Sequence, residues 1–203
     1  MTRNASANSL RVTMSQQPFL KDHYTKQVIP ELQKNRGYRN IHQVPKLEKI
    51  VLNSGFTVSV ERTHADTIAN ELSLIAGQKA IVTKARQSIS QFKLRQGMPI
   101  GAKVTLRGSR MFDFMLRLTA ISLPAIRDFQ GVSHKLDGGG NYNMGIEDHT
   151  IFPEVNSDNA KANIGLDITI VTTATDDDEA RELLKLMGMP FRQQKSGEHS
   201  GNN

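Results

Sequence analysis

The sequence predicts an α+β fold: a mainly antiparallel sheet with helices packed on one face and a long basic loop between two strands. Segments with strand-like alternation are separated by segments in which apolar residues recur at helical spacing. Each clear strand has one apolar and one polar parity, which is typical of a sheet that helices cover on a single face. The predicted order is helix, strand, helix, strand, strand, helix, loop, strand, helix.

The first predicted helix spans residues 18–36, with Gly37 at its end. Pro30 lies inside it, so we expect a kink or a restart there. An apolar side chain recurs at every fourth position: Leu20, Tyr24, Val28 and Leu32.

The first strand is predicted at residues 46–53, after Pro45, which favours extended backbone before it. One parity is expected to carry Glu48, Ile50 and Leu52, and the other Leu47, Lys49, Val51 and Asn53. A helix follows at residues 62–76, with a stripe made by Ala65, Ile68, Leu72 and Ile75 and with Gly77 at its C-terminus.

Two further strands are predicted at residues 80–83 and 101–107, joined by a long loop. The stretch from Gln78 to Arg110 carries eight basic residues and no acid, whereas the chain has 26 basic and 20 acidic residues. Without these eight, 18 basic residues face 20 acidic ones, so the positive charge is local. Such a stretch suits a polyanionic partner. The alternative is a solvated hairpin with scattered cations.

The second half of the chain is predicted to hold two helices and one clear strand. Ser109 is the expected N-cap of the first helix, which Pro124 ends. Its buried stripe is Met111, Met115, Leu118 and Ser122, widened by Phe112 and Phe114. A loop is expected at Gln130–Asn143 and a strand at Gly165–Thr173. Thr175 is the expected cap of the last helix, whose stripe is Ala180, Leu183, Leu184 and Met187 before Gly188 and Pro190.

The polar parities of the strands together offer hydrogen-bonding groups and cations. They comprise Lys49, Asn53, Lys103, Thr105, Arg107, Asp167 and Thr169. A sheet face of this kind can serve as a platform for RNA.

Composition restricts the class of protein. A single domain is expected at residues 18–192, between disordered tails at 1–17 and 193–203. The absence of Cys excludes disulfides and thiolate catalysis, and no apolar run is long enough to predict a membrane partner. Aromatic residues are sparse at 5%, which argues against base stacking as the main binding device. Residues 1–17 are basic and lack acids, so an organellar location is the alternative to a cytoplasmic one.

No catalytic or metal site is predicted, and no cofactor. Gly138–Gly140 lacks the Lys and Ser or Thr of a phosphate-binding loop, and is interpreted as a turn. The acidic run Asp176–Glu179 suits the positive start of a helix without a metal. The six histidines are dispersed, and no nucleophile, base and orienting group form a local motif.

Several motifs resemble the family of bacterial large-subunit ribosomal protein number five, in the family's order over residues 18–192. They are VPKLEKIVLNSG at 44–55, GQKAIVTKARQSISQFKLRQGMPIGAKVTLRG at 77–108, LPAIRDFQG at 123–131, GNYNMGIEDHTIFPE at 140–154 and GLDITIVTTA at 165–174. The resemblance implies a non-enzymatic, cytoplasmic constituent of the large ribosomal subunit. It also implies contacts with large-subunit rRNA and with neighbouring ribosomal proteins.

The resemblance implies three further partners. For 5S rRNA, the matching polar positions are Asn53, Gln78 and Thr105, with Lys49, Lys103 and Arg107 beside them. The long loop would face P-site tRNA through Lys84, Arg86, Ser88, Lys93, Arg95 and Gln96. The segment 131–147 would meet a small-subunit head protein across an intersubunit bridge, although its glycine-rich part lacks the family's usual Arg.

Two other functions compete with this interpretation. A free RNA-binding module outside the ribosome would need paired aromatic residues on its central strands, and the polar parity has none. A phosphoryl-handling enzyme would need the residues that the glycine stretch lacks.

Overall fold

Five strands form one sheet in the computed structural model, which describes residues 19–56, 62–155 and 164–192. The strands are β1 (Leu47–Gly55), β2 (Ile81–Lys84), β3 (Pro99–Leu106), β4 (Tyr142–Ile146) and β5 (Leu166–Thr172). Their order across the sheet is β2-β3-β1-β5-β4, and every neighbouring pair is antiparallel. The antiparallel sheet of the prediction is therefore confirmed. The two predicted tails lie outside the described residues.

The central strand β1 corrects one detail of the predicted pattern. Ile50 and Leu52 are fully buried, as their parity requires. Leu47 is also buried and Glu48 is exposed, the reverse of the prediction. The register against β5 shifts between Leu47 and Lys49, because a β-bulge there moves the first residue of the strand to the core side.

The edge strand β4 was missed by the sequence analysis, which assigned residues up to Asn143 to a loop. Tyr142 and Ile146 are buried, whereas Asn143 and Gly145 are exposed. The sequence contains this alternation, but glycine and asparagine are both depleted in strands and the segment is short, so its pattern is a weak signal for a strand. Pairing with β5 along its whole length stabilises the strand despite its weak propensity.

The N-terminal helical segment changes from α-helical to π-helical hydrogen bonding just before Pro30. Helix α1 (Phe19–His23) continues through a π-helical turn (Tyr24–Val28) into α2 (Ile29–Arg36). The N–H of Ile29 donates to the carbonyl of Tyr24, five residues back. Proline has no N–H and crowds the preceding turn, so a wider turn before it keeps the segment helical. The expected interruption thus takes the form of a π turn.

The remaining helices are α3 (Arg62–Ala76), α4 (Ser109–Arg117) with a π-helical extension (Leu118–Ser122), and α5 (Asp177–Leu186). Both predicted caps were wrong by one position. The N-cap of α4 is Gly108, at φ 61°, and Ser109 is the first helical residue. The N-cap of α5 is Asp176 without a side-chain cap bond, while the Thr175 hydroxyl donates to Glu179. None of the described helices is long and apolar enough to cross a membrane.

The helices bury one face of the sheet, as predicted. Helix α3 lies against β3 and β2, and α1 lies against α4. The predicted stripe of α4 and the stripe of α5 are all buried in one core with the inward residues of β1, β3 and β5. Because burial is confined to one side, the other side of the sheet is left open to solvent or to a partner.

Polar contacts join α5 to the N-terminal helical segment. The Glu182 carboxylate accepts hydrogen bonds from Arg36 Nε at 2.8 Å and from Asn35 Nδ2 at 2.9 Å. The bond from Arg36 lowers the pKa of Glu182. Burial raises the pKa of Tyr38 to about 12, and its hydroxyl donates to Glu179 at 2.8 Å. These contacts hold the two chain ends of the domain together.

Replacement of Leu183 by Ala should lower the free energy of unfolding by about 2–5 kcal/mol, because Leu183 is fully buried and the core cannot close the cavity. Chemical denaturation measures this loss. The matched control is Leu186→Ala in the same helix, where the side chain is only half-buried and the loss should be smaller. Equal stability of Leu183→Ala and wild type would contradict the packing of α5 on the core.

Replacement of Glu182 by Gln should cost about 1 kcal/mol near neutral pH, because it removes the charge that pairs with Arg36. The folded-state pKa of Glu182 is lowered, so its contribution exists above the ordinary pKa and disappears as the pH falls through the lowered value. Urea unfolding at a series of pH values should show the difference from wild type shrinking in acid. Glu147→Gln is the control, since that side chain is exposed and has no ion pair among the described residues.

Candidate nucleic-acid interface

The open face of the sheet is organised in rows of residues that lie opposite one another on neighbouring strands. One row runs Ile81, Lys103, Asn53, Asp167 and Gly145, each directly opposite the next. Because these residues come from β2, β3, β1, β5 and β4, the sheet gathers parts of the sequence up to 114 residues apart into one line. The predicted sharing of a face by Lys103, Asn53 and Asp167 is confirmed.

A second row lies one step along the strands. It contains Thr105, Val51, Thr169 and Asn143 in that spatial order. Together with the first row, it forms a surface that carries donors and acceptors as well as small or β-branched residues. Asn143 and Gly145 belong to this face, but the sequence analysis missed them because it missed β4.

Gln78 contacts β3 from the turn after α3. Its amide Nε2 donates to the backbone oxygen of Thr105 at 3.3 Å, and its Oε1 accepts from Arg110 Nη1 at 3.2 Å. The fold therefore brings together Gln78 and Thr105, two of the three polar positions that the resemblance selected. The third, Asn53, is on the neighbouring strand β1 and donates through Nδ2 to Asp167 Oδ2 at 3.4 Å.

The cations of the face differ in their pairing. Arg107 and Lys49 both approach Glu48 Oε1, at 3.5 Å and 3.8 Å, whereas Lys103 has no ion pair among the described residues. Exposed pairs of this kind are worth about 0–1 kcal/mol, so Arg107 and Lys49 can exchange Glu48 for a phosphate at little cost. Asp167 makes the β5 side of the face less positive than the β3 side.

The chain between β2 and β3 continues as a hydrogen-bonded hairpin beyond the sheet. The N–H of Ala85 donates to the Met98 carbonyl at 2.8 Å, and that of Gly97 to the Ala85 carbonyl at 3.0 Å. Further out, Ile89 and Leu94 exchange two backbone bonds of 2.9 Å and 3.0 Å. Residues 85–98 form what we call the basic hairpin. Its shape depends on backbone pairing, since Ala85 is its only buried residue.

The six loop residues selected from the sequence are all exposed: Lys84, Arg86, Ser88, Lys93, Arg95 and Gln96. The four cations among them have no ion pair within the described ranges. Ser88 and Gln96 have a structural role, because the Ser88 hydroxyl oxygen accepts a hydrogen bond from the Gln96 N–H at 2.9 Å. The cations are therefore free for an external anion, while the two neutral residues fix the hairpin that carries them.

Gly101 sets how closely the hairpin joins the sheet. A Cβ at this position would lie 2.8 Å from the Ser54 carbonyl oxygen and 2.9 Å from the Thr83 hydroxyl oxygen. Both contacts are too short, so only glycine allows β1, β3 and β2 to pack here. The base of the basic hairpin is thereby fixed against the strand that carries Asn53.

The amide N–H groups of the glycine stretch (Gly138–Gly140) donate to carboxylates of the same chain. Asp177 accepts hydrogen bonds from the N–H groups of Gly138 and Gly140, each at 3.1 Å. Asp137 accepts from the Asn141 side chain at 2.8 Å and from the Gly139 N–H at 2.9 Å, and these bonds lower the pKa of Asp137. A phosphate would find these amides already taken. The stretch is thus a folded turn, and Asp177 has a second role beside its place at the start of α5.

Comparison with known proteins matches both halves of the chain to models of one protein family. Residues 40–95 match the family model described as ribosomal protein L5, and residues 99–191 match the model for the C-terminus of the same ribosomal protein family. Together the two models span the sheet, most of the basic hairpin and all the helices from α3 onwards.

Curated relatives are similar over most of their own length, and they are named as ribosomal proteins rather than enzymes. The chain is 53% identical over 175 residues to the large ribosomal subunit protein uL5 of Brachyspira hyodysenteriae, covering 85% of this chain and 94% of the relative. It is 54% identical over 177 residues to that of Thermotoga maritima, covering 85% and 95%. The uL5 of Geotalea daltonii is 53% identical over 175 residues, covering 85% and 98%. The chain therefore belongs to the ribosomal protein L5 (uL5) family, whose members are structural constituents of the large ribosomal subunit.

Proposed function

We propose that this protein anchors 5S rRNA in the central protuberance of the large subunit through the open face of its sheet. The observation that carries the proposal is the patch formed by Asn53, Gln78 and Thr105, three polar side chains from separate elements beside Lys103. Amide and hydroxyl groups can pair with bases and 2′-hydroxyls, and cations neutralise phosphates. The protein would work there in the cytoplasm, among large-subunit rRNA and neighbouring ribosomal proteins.

The geometry of the patch supports RNA rather than a small-molecule ligand. It is an open surface that crosses several strands, and no aromatic residue stands in its two described rows. Recognition would therefore depend on hydrogen bonds and on charge, with Lys49 and Arg107 released from Glu48 when phosphates replace it. Asp167, which accepts from Asn53, would position that amide before the RNA arrives.

The basic hairpin is proposed to contact P-site tRNA. Its cations and the adjoining Lys84 are exposed without ion pairs in the described structure, and no acid lies between Gln78 and Arg110. Attraction of this kind acts on the phosphate backbone and is independent of sequence, which suits a site that accepts every tRNA.

The segment 131–147 is proposed to contact a small-subunit head protein across an intersubunit bridge. Asp137 and Asp177 hold its glycine turn in one conformation, so the contact would need little ordering when the subunits join.

Replacement of Asn53 or Thr105 by Ala should weaken 5S rRNA binding by about 1–3 kcal/mol per site, because RNA groups would be left unpaired in a closed interface. Filter binding to purified 5S rRNA measures the loss. Asn70→Ala, an exposed position on α3, is the matched control and should bind like wild type. If both sheet variants also bind like wild type, the RNA site is on another surface.

Replacement of Arg86 and Lys93 together by Ala should weaken retention of P-site tRNA on assembled ribosomes, and the difference from wild type should shrink at raised salt, because salt competes with the contacts that these cations make. The melting temperature and 5S rRNA binding should change little, because neither side chain is buried. The control double variant, Lys34→Ala with Lys185→Ala, removes the same charge from exposed helix positions. A collapse of 5S rRNA affinity with intact tRNA retention would mean that the two surfaces are assigned the wrong way round.

A further inference from the structure

The tip of the basic hairpin carries an exposed aromatic side chain. Phe92 is 64% exposed, and Ile89 beside it is 41% exposed. In the structure, Phe92 belongs to neither the core nor the partly buried residues packed on it, and it has no aromatic partner among the described residues. A large apolar side chain is thus held in water at the end of a projection.

The backbone of the tip fixes this position. Phe92 ends a 3₁₀ turn (Ser90–Phe92) that lies inside the Ile89–Leu94 pair. Lys93 follows in the left-handed region at φ 53°, and its N–H donates to the Ser90 carbonyl at 3.0 Å. The turn therefore closes immediately after Phe92 and keeps this residue at the tip of the basic hairpin. Such preorganisation reduces the ordering that a binding partner must impose.

The surroundings of Phe92 are cationic. Lys93 and Arg95 follow it in the chain, Arg86 lies on the opposite arm of the hairpin, and none of the three has an ion pair within the described residues. An apolar ring among unpaired cations matches a partner that combines negative charge with flat apolar surface. Nucleotides have both, because each carries a phosphate and a base with a π face.

We propose that Phe92 stacks on a nucleobase whose face is uncovered on the surface of P-site tRNA, while the surrounding cations hold the phosphates. The proposal rests on the proposed contact between the basic hairpin and tRNA, and it adds a nonionic, shape-dependent component to that contact. Stacking is tolerant of sequence, since every base has a π face, so it is compatible with a site that accepts all tRNAs.

The first test separates stacking from charge by the salt dependence of tRNA dissociation from assembled ribosomes. Phe92→Leu keeps apolar volume but removes the aromatic face, and it should accelerate dissociation about tenfold at every salt concentration. The Arg86→Ala and Lys93→Ala double variant should instead reduce the slope of affinity against salt. If tRNA dissociates from the Phe92→Leu ribosomes at the wild-type rate while the double variant retains tRNA less well, the stacking proposal is overturned. The proposed contact between the basic hairpin and tRNA then remains supported. If neither variant changes retention, the contact of the hairpin with tRNA fails as well.

The second test uses the absence of Trp from the chain. Phe92→Trp makes the hairpin tip the single tryptophan of the protein. The fluorescence difference between large subunits with the variant and with the wild-type protein cancels the signal of all other ribosomal proteins, and it should be quenched when P-site tRNA is added. The matched control is Phe19→Trp, at a position 74% exposed on α1, which should not respond. If the fluorescence of Phe92→Trp does not change when tRNA is added, the proposal is overturned. It is also overturned if the small subunit changes the fluorescence without tRNA, because that result would identify a protein partner instead.

Discussion

Burial of one face of the sheet is the constraint on which the rest of the structure depends. Ile50 and Leu52 of β1 and Ile168 and Ile170 of β5 have no exposed surface, and each such side chain contributes about 1.5–3 kcal/mol through its removal from water. The exposed ion pairs of the opposite face are worth at most about 1 kcal/mol each. The apolar face therefore determines the fold, and the polar face is free to serve recognition.

This division explains why the two candidate RNA surfaces are built differently. The patch of Asn53 and Thr105 lies on strands whose other face is core, so its geometry is as rigid as the sheet. The basic hairpin has almost no buried side chain and is shaped by backbone hydrogen bonds and by the Ser88–Gln96 contact. A rigid, hydrogen-bonding surface suits one fixed RNA partner, whereas a projecting charged hairpin suits a partner that must come and go.

Acidic residues pair with cations and with hydrogen-bond donors on the polar surfaces of the molecule. Glu48 pairs with two cations of the open face, and Asp167 orients Asn53 from within a row. Asp137 and Asp177 accept the amide hydrogens of the glycine turn, which the chain would otherwise offer to any anion. The net charge of +6 is thus concentrated where acids are absent, in the stretch from Gln78 to Arg110.

The sequence by itself determined the fold class, because side-chain periodicity follows directly from helix and strand geometry. It also determined which residues of β1, β3 and β5 share the open face, and where the basic hairpin lies. Local patterns could not identify β4, whose weak propensity is overcome by pairing with β5. The bulge that buries Leu47 also depends on a partner strand.

Only the tertiary structure decided the contacts between residues far apart in the chain. It joined Gln78 to Thr105, assigned Asp177 to the glycine turn, and left Phe92 exposed at the tip of the basic hairpin. Hydrogen bonds and burial of this kind depend on distances in space, and a one-dimensional pattern encodes only the face on which each residue lies.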